Sequence, residues 1–167
     1  MLDHTIEQIE QTEAYFRKEK FPVVVSDAAG RDLKYHIIPQ SLNPDLPDFI
    51  YRVTNDKTKR NVMGVSQSVP KELQPYFILA EYIEFIEIGL GARGRIKEAE
   101  RRTLNVIPTD LLKDYLERKV KLYETELELD VKEPEKYALG QEGRSEFENA
   151  VAFLHEQLKK LNAPIGI

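Results

Sequence analysis

Three glutamates recur at every third position of one segment, which makes them the first candidates for chemistry in this chain. Glu81, Glu84 and Glu87 would line one side of a helix, within reach of one another. The simplest interpretation is a solvated face, where repulsion costs about 0.2–0.5 kcal/mol per pair. If another part of the chain covers the row, its carboxylates must hold protons, pair with cations or bind a metal. Phe77 and Ala80 fall on the same side, so both interpretations stay open.

A glycine-rich run follows the glutamates directly. Gly89 to Gly94 matches G-x-G-x-x-G, and Asp110 lies about twenty residues further on, as a dinucleotide-binding fingerprint requires. That function needs a strand before the glycines and a helix after them. An extended backbone before Gly89 would bury charge on both faces, whereas a helix separates an apolar half from the glutamates. We therefore predict a helix over 71–88 that stops at Gly89, a turn into a second helix over 95–104, and no nucleotide site.

Cations are concentrated around the second of these helices: Arg93, Arg95, Lys97, Arg101 and Arg102. They could neutralise the glutamate row across a helix–helix interface, which would serve structure alone. They could also form a phosphate-binding patch, but such patches usually carry interleaved aromatic residues, and this one does not. The chain has 29 acidic and 24 basic residues and a net charge of −5. We therefore expect no binding to nucleic acid.

The stretch Ala80-Glu81-Tyr82-Ile83-Glu84 stands where a zinc-peptidase helix carries H-E-x-x-H, and it follows a small predicted sheet. In this respect residues 48–104 resemble a minimal zincin of the gluzincin-like metallopeptidases. The resemblance implies that Glu81 is the general base and that Glu84 is a carboxylate ligand to zinc. Ala80 replaces the first motif histidine and cannot bind a metal. The resemblance therefore implies a zincin-like fold that has lost its metal and its peptidase activity.

The remaining reactive residues complete no catalytic pattern. His155 offers H-E-x-x-K, with lysine where a second ligand should stand, and His4 and His36 have no histidine partner at the spacing of a helical metal site. His36 could join Glu84 as a distant ligand if the fold brought them together. No serine lies in a nucleophile motif, and Ser145 with Glu148 instead matches a helix-capping box. Cysteine is absent, which removes disulfides and sulfur-bound zinc.

The N-terminal part should supply one helix and about four strands. A helix over 3–20 is predicted, with a start capped by Thr5 and Gln8 or by Asp3. Its apolar stripe is Leu2, Ile6, Ile9 and Phe16. The predicted strands are 23–25, 35–38, 49–53 and 62–65. Because the connections are short, we expect an antiparallel sheet.

The C-terminal part should be about four helices. After 71–88 and 95–104, a helix begins near Pro108, with an apolar stripe that includes Tyr115, Lys119 and Tyr123. A last helix follows Ser145 and stops around Asn162 and Pro164. Its predicted stripe is Ala150, Val151, Leu154, Leu158 and Leu161. The predicted fold class is α+β, and residues 1–167 form one domain.

Composition limits the function further. Hydrophobic residues make up 41% of the chain and charged residues 32%, and no apolar run is long enough for a membrane span. We expect no secretory signal, a cytoplasmic location and no membrane partner. The favoured function is a non-catalytic domain without cofactor that binds a protein, a small ligand or a second copy of itself. The alternative is a zinc-dependent hydrolase that uses Glu81 as base and Glu84 with His36 as ligands.

Overall fold

The chain folds as one helix, a four-stranded sheet and a cluster of helices, the α+β order that the sequence predicts. The computed structural model describes residues 4–163, so Leu2, Asp3 and Pro164 lie outside the described residues. The strands are β1 (Val23–Ser26), β2 (Leu33–Ile38), β3 (Ile50–Thr54) and β4 (Asn61–Ser66). The helices are α1 (Ile6–Lys18), α2 (Gln74–Tyr82), α3 (Arg95–Leu104), α4 (Thr109–Lys132), α5 (Pro134–Tyr137) and α6 (Gly140–Asn162).

The sheet is mixed, which differs from the predicted antiparallel arrangement in one pair of strands. The strand order is β1-β2-β4-β3, and β2 and β4 run parallel while the two outer pairs are antiparallel. β4 takes the inner position because residues on both of its faces are buried, Val62 and Met63 among them. β3, which exposes Tyr51, stays at the edge. The order of strands along the chain therefore did not give their order in the sheet.

Helices cover both faces of this sheet. On one face α1 contributes Phe16, whose ring centroid lies 5.1 Å from that of His36 and 5.3 Å from that of Tyr51. Side chains alternate along a strand, so Arg52, the next residue in β3, points to the opposite face. There it pairs with Glu81 of α2. The sheet thus positions Arg52 against the glutamate row.

The segment before the glycines is helical, as predicted, but its second half is wound more loosely than an α-helix. α2 passes directly into a π-helical segment over Ile83–Ile88. The N–H of Gly89 donates to the carbonyl of Glu84 at 2.9 Å, a bond that reaches back five residues. α2 itself is buried on more than its apolar half, because the sheet and α3 pack around it. π-helical segments inside helices occur frequently at functional sites.

The helices that follow form the far wall of the molecule. α3 spans the predicted residues, and α4 begins directly after Pro108. The buried core of this part is Tyr115, Leu116, Ala150 and Leu154, with Phe77, Ile78 and Leu79 of α2. Among residues 4–163, no helix combines the length and the apolar character that crossing a membrane demands.

The predicted cap at Ser145 is wrong. α6 begins at Gly140, so Ser145 lies inside the helix. The start of α6 is fixed by contacts with Asp130. The Asp130 carboxylate accepts a hydrogen bond from the backbone N–H of Leu139 at 3.1 Å and one from Arg144 at 2.9 Å. The capping-box pattern failed because these long-range contacts fix the helix start earlier in the chain.

Candidate functional site

Each glutamate of the predicted row is paired with an arginine, and each arginine comes from a different part of the chain. The nitrogen-to-oxygen distances are 3.6 Å for Arg52–Glu81, 3.0 Å for Arg95–Glu84 and 2.9 Å for Arg31–Glu87. The solvated interpretation fits only Glu87, because the side chain of Glu84 is 8% exposed. The predicted interface with the cations of α3 is confirmed for Glu84 and, through Arg102 at 3.9 Å, for Glu87.

Glu81 and Glu84 lie on the wall of a cavity of about 840 Å³, which we call the glutamate cavity. Its wall is built from β3, the α2–π segment, α3, α4, the corner around α5, and α6. Its charged lining residues are Arg52, Glu81, Glu84, Arg95, Glu126 and Lys136. Its aromatic lining residues are Tyr51, Phe85, Tyr123, Tyr137 and Phe147. The cavity therefore combines carboxylates, cations and ring faces.

The charged groups around Glu84 in this cavity are already paired with one another. Arg95 lies between Glu84, at 3.0 Å, and Glu146 of α6, at 3.7 Å. Glu146 also accepts hydrogen bonds from the backbone N–H groups of Gly94 and Arg95, both at 2.9 Å, and so caps the start of α3. Burial and the nearby Glu81 carboxylate raise the pKa of Glu84 well above its usual range, and Arg95 opposes this. This corner fixes the position of Glu84 rather than leaving it free for a ligand.

Among the described carboxyl groups on the wall, Glu126 of α4 is the one without a partner in residues 4–163. It forms neither a hydrogen bond nor an ion pair with another residue in the described part of the chain. Burial, with a smaller contribution from Glu81, raises its pKa to about 8, although Lys119 acts in the opposite direction. At neutral pH the group is therefore mainly protonated. It is a neutral donor and acceptor that a nearby positive charge would ionise.

Two more polar atoms on the wall have no partner among the described residues. They are Nδ1 of His4 and the hydroxyl group of Tyr137, both shielded from bulk solvent. Buried polar atoms without hydrogen bonds are uncommon in folded proteins and cost free energy. Together with Glu126 they show that this wall has hydrogen-bonding groups that residues 4–163 do not satisfy.

A buried ion pair supports the wall from behind. Lys119 of α4 lies 3.3 Å from Glu100 of α3, and both residues are fully buried. Glu100 also accepts hydrogen bonds from the hydroxyl groups of Tyr115, at 2.8 Å, and Tyr123, at 2.9 Å. Burial and the Glu100 carboxylate raise the pKa of both tyrosines. Since Tyr123 also lines the cavity, this cluster sets the position of one of its rings.

The structure does not bring His36 to the glutamates. His36 of β2 lines a separate cavity of about 220 Å³ together with Glu13 and Lys34. Its Nδ1 lies 3.3 Å from the carbonyl oxygen of Phe21, and its ring packs against α1. Within residues 4–163, no group of at least three histidine, aspartate or glutamate side chains is arranged to hold a metal ion. The zinc site of Glu84 and His36, and the role of Glu81 as base, remain predictions.

Sequence reasoning did not select Arg52, Glu100 or Glu126 for this site. A signal was present for Glu126, which comes three residues after Tyr123 and seven after Lys119, two members of the predicted buried stripe of α4. Charged residues in such a stripe are a sign of buried ion pairs or of a cavity. Arg52 gave no signal, because its partner lies in a distant part of the chain.

Comparison with known proteins gave no match: no family model, no curated protein sequence and no solved structure matches this chain.

Proposed function

We propose that this domain binds a small organic molecule in the glutamate cavity and performs no chemistry on it. The observation that carries the proposal is the cavity itself, with about 840 Å³ of space and a wall whose polar groups are not all bonded within residues 4–163. Sites for small molecules typically enclose about 300–1,000 Å³, lined by apolar and aromatic side chains with a few polar groups. The five aromatic rings and Glu126 fit that description.

The chemical character of the wall supports binding over catalysis. Glu81 and Glu84 each have an arginine partner, and Arg95 donates a hydrogen bond to Glu84 at 3.0 Å. No serine, threonine or cysteine is among the described residues that line the cavity. Ala80, at the position of the missing motif histidine, is 3% exposed and packed in the core. The zincin-like origin and the hydrolase alternative stay proposals from the sequence.

Ligand-observed NMR with a fragment library tests this function. The library should contain neutral, cationic and anionic aromatic compounds, so that binding is detected whatever charge the cavity prefers. The cavity is then assigned with Leu139→Trp, which adds an indole group to the wall beside α6. Val131→Trp is the matched control, because Val131 is 69% exposed and outside the cavity.

We expect fragments to bind the unaltered protein and Val131→Trp, and to bind Leu139→Trp about tenfold more weakly or not at all. Circular dichroism of both variants checks that they are folded. Absence of binding for every fragment, or equal binding by the two variants, would overturn the proposed function.

A further inference from the structure

We infer that the ligand of the glutamate cavity is an organic cation, an ammonium group on an apolar body, and that its charge pairs with Glu126. This inference rests on the proposed function, since it names the class of ligand for the same cavity. Three carboxyl groups line the wall. Two of them, Glu81 and Glu84, already have arginine partners, whereas Glu126 has none among residues 4–163.

Both arginines of the wall already have carboxylate partners, which argues against an anionic ligand at these side chains. Arg52 pairs with Glu81, and Arg95 lies between Glu84 and Glu146. An anion would have to compete with these carboxylates and would meet their repulsion. Lys136, the remaining lysine of the wall, is exposed, and its Nζ lies 5.3 Å from the ring centroid of Tyr137. Both arginines are therefore engaged, whereas the carboxyl group of Glu126 has no partner among residues 4–163.

The protein already holds two of its own cations in the manner that the inference requires. Arg52 pairs with Glu81 while its Cζ lies 3.4 Å from the ring centroid of Phe85. Lys119 pairs with Glu100 while its Nζ lies 4.7 Å from the centroid of Phe77. In both cases a carboxylate supplies the opposite charge and a ring face supplies a cation–π contact.

Glu126 shares the cavity wall with aromatic rings, but no cation of residues 4–163 pairs with it. Tyr123, three residues earlier in α4, lines the cavity, and its ring lies 5.3 Å from that of Phe147 of α6. Tyr137 adds a third ring to the wall and a hydroxyl group that no described residue bonds. Aromatic rings beside a carboxylate are a common way of binding ammonium groups. An apolar body attached to that group would lie against the remaining ring surface.

The protonation of Glu126 provides a second test of the inference, the pH dependence of ligand affinity. An ammonium group beside Glu126 would lower its raised pKa, so binding near neutral pH would release a proton. The affinity for a permanently charged ligand should therefore rise with pH between about 6 and 8. The titratable and charged groups that share this environment are His4, Arg52, Glu81, Glu84, Arg95, Lys119, Tyr123, Lys136 and Tyr137.

The experiment compares three probes of similar shape: 2-phenylethylamine, 2-phenylethanol and 3-phenylpropanoate. Dissociation constants are measured by calorimetry or NMR titration for the unaltered protein, for Glu126→Gln and for the control Glu128→Gln. Glu128 is exposed on the same helix and outside the glutamate cavity. We expect the unaltered protein and Glu128→Gln to bind the amine about tenfold or more tightly than the alcohol. Glu126→Gln should lose this preference.

Equal or weaker binding of the amine, or an unchanged preference in Glu126→Gln, would overturn the inference. The proposed function would survive that result if Leu139→Trp still abolished binding of the preferred probe. Absence of binding for all three probes and for the fragment library would overturn the proposed function. If Glu126→Gln does not fold, the pH dependence of the amine's affinity for the unaltered protein decides, and a flat profile from pH 6 to 8 contradicts the inference.

Discussion

At the scale of single residues, the glycine motif acts through backbone conformation. Gly89, with φ of 92°, ends the π-helical segment, and Gly94, with φ of 70°, precedes α3. The N–H of Gly94 also donates to Glu146. Gly91 has no positive φ, and a Cβ atom there would meet no other atom within 4 Å. The motif therefore contains two conformationally constrained glycines, Gly89 and Gly94, and one unconstrained glycine, Gly91.

Gly94→Ala should reduce the free energy of unfolding by about 1 kcal/mol, because an alanine in the left-handed region is strained. Gly91→Ala should leave it within about 0.5 kcal/mol of the unaltered protein. Urea denaturation of the two variants measures both values. Equal destabilisation by the two substitutions would contradict the view that Gly94 is needed for its left-handed backbone conformation.

The glutamate row illustrates which residue properties the sequence could predict. Periodicity predicted that Glu81, Glu84 and Glu87 share a helix, and α2 with the π-helical segment confirms it. It could not predict their different environments, because those depend on arginines brought in by the tertiary fold. Arg31, for example, is 56 residues from Glu87 in the chain. The local sequence pattern predicts which side chains share one side of a helix. Whether those side chains are buried depends on elements that are distant in sequence.

At the scale of elements, helix starts were predicted correctly where local hydrogen bonds determine them. Thr5 and Gln8 form the predicted capping box of α1, with Gln8 N–H to Thr5 Oγ1 at 3.1 Å and Thr5 N–H to Gln8 Oε1 at 2.7 Å. Ser145 has an equally good local pattern, but Asp130 starts α6 earlier. Strand order shows the same limit, since β4 is central for reasons of burial that strand sequence order does not reveal.

Because Thr5 caps a helix and Ser145 does not, replacing each by alanine should affect stability differently. Thr5→Ala should cost about 1 kcal/mol of stability, because it removes the acceptor at the start of α1. Ser145→Ala should be neutral or stabilise by up to about 0.5 kcal/mol, because alanine is the better residue inside a helix. Thermal and urea unfolding of both variants give the comparison. A loss at Ser145 similar to that at Thr5 would contradict the assignment of Ser145 to the interior of α6.

At the scale of the whole molecule, ionisable groups fall into two sets with opposite effects on stability. Surface carboxylates beside arginines have lowered pKa values: the side-chain hydrogen bonds from Arg101 and Arg102 bring that of Glu98 to about 2. Carboxyl groups at the glutamate cavity have raised pKa values, because burial disfavours their charge. The first set loses its stabilising effect as pH falls through its folded-state pKa values. The second set contributes stability that is present at low pH and is lost as pH rises through its raised folded-state pKa values.

Glu126 allows this balance to be measured at one residue. Its pKa is raised from the ordinary 4.5 to about 8, so between these values the folded state holds a proton that the unfolded state releases. Its contribution to stability is therefore complete below about pH 4.5 and is lost as pH rises towards 8. Glu126→Gln keeps a neutral group there, and at pH 9 it should exceed the unaltered protein in unfolding free energy by roughly 4 kcal/mol more than at pH 5. Glu128→Gln, on the exposed side of α4, should change nothing between the two pH values. Urea denaturation at pH 5, 7 and 9 measures these differences, and a gain for Glu126→Gln that is the same at pH 5 and pH 9 would mean that the cavity does not hold this proton.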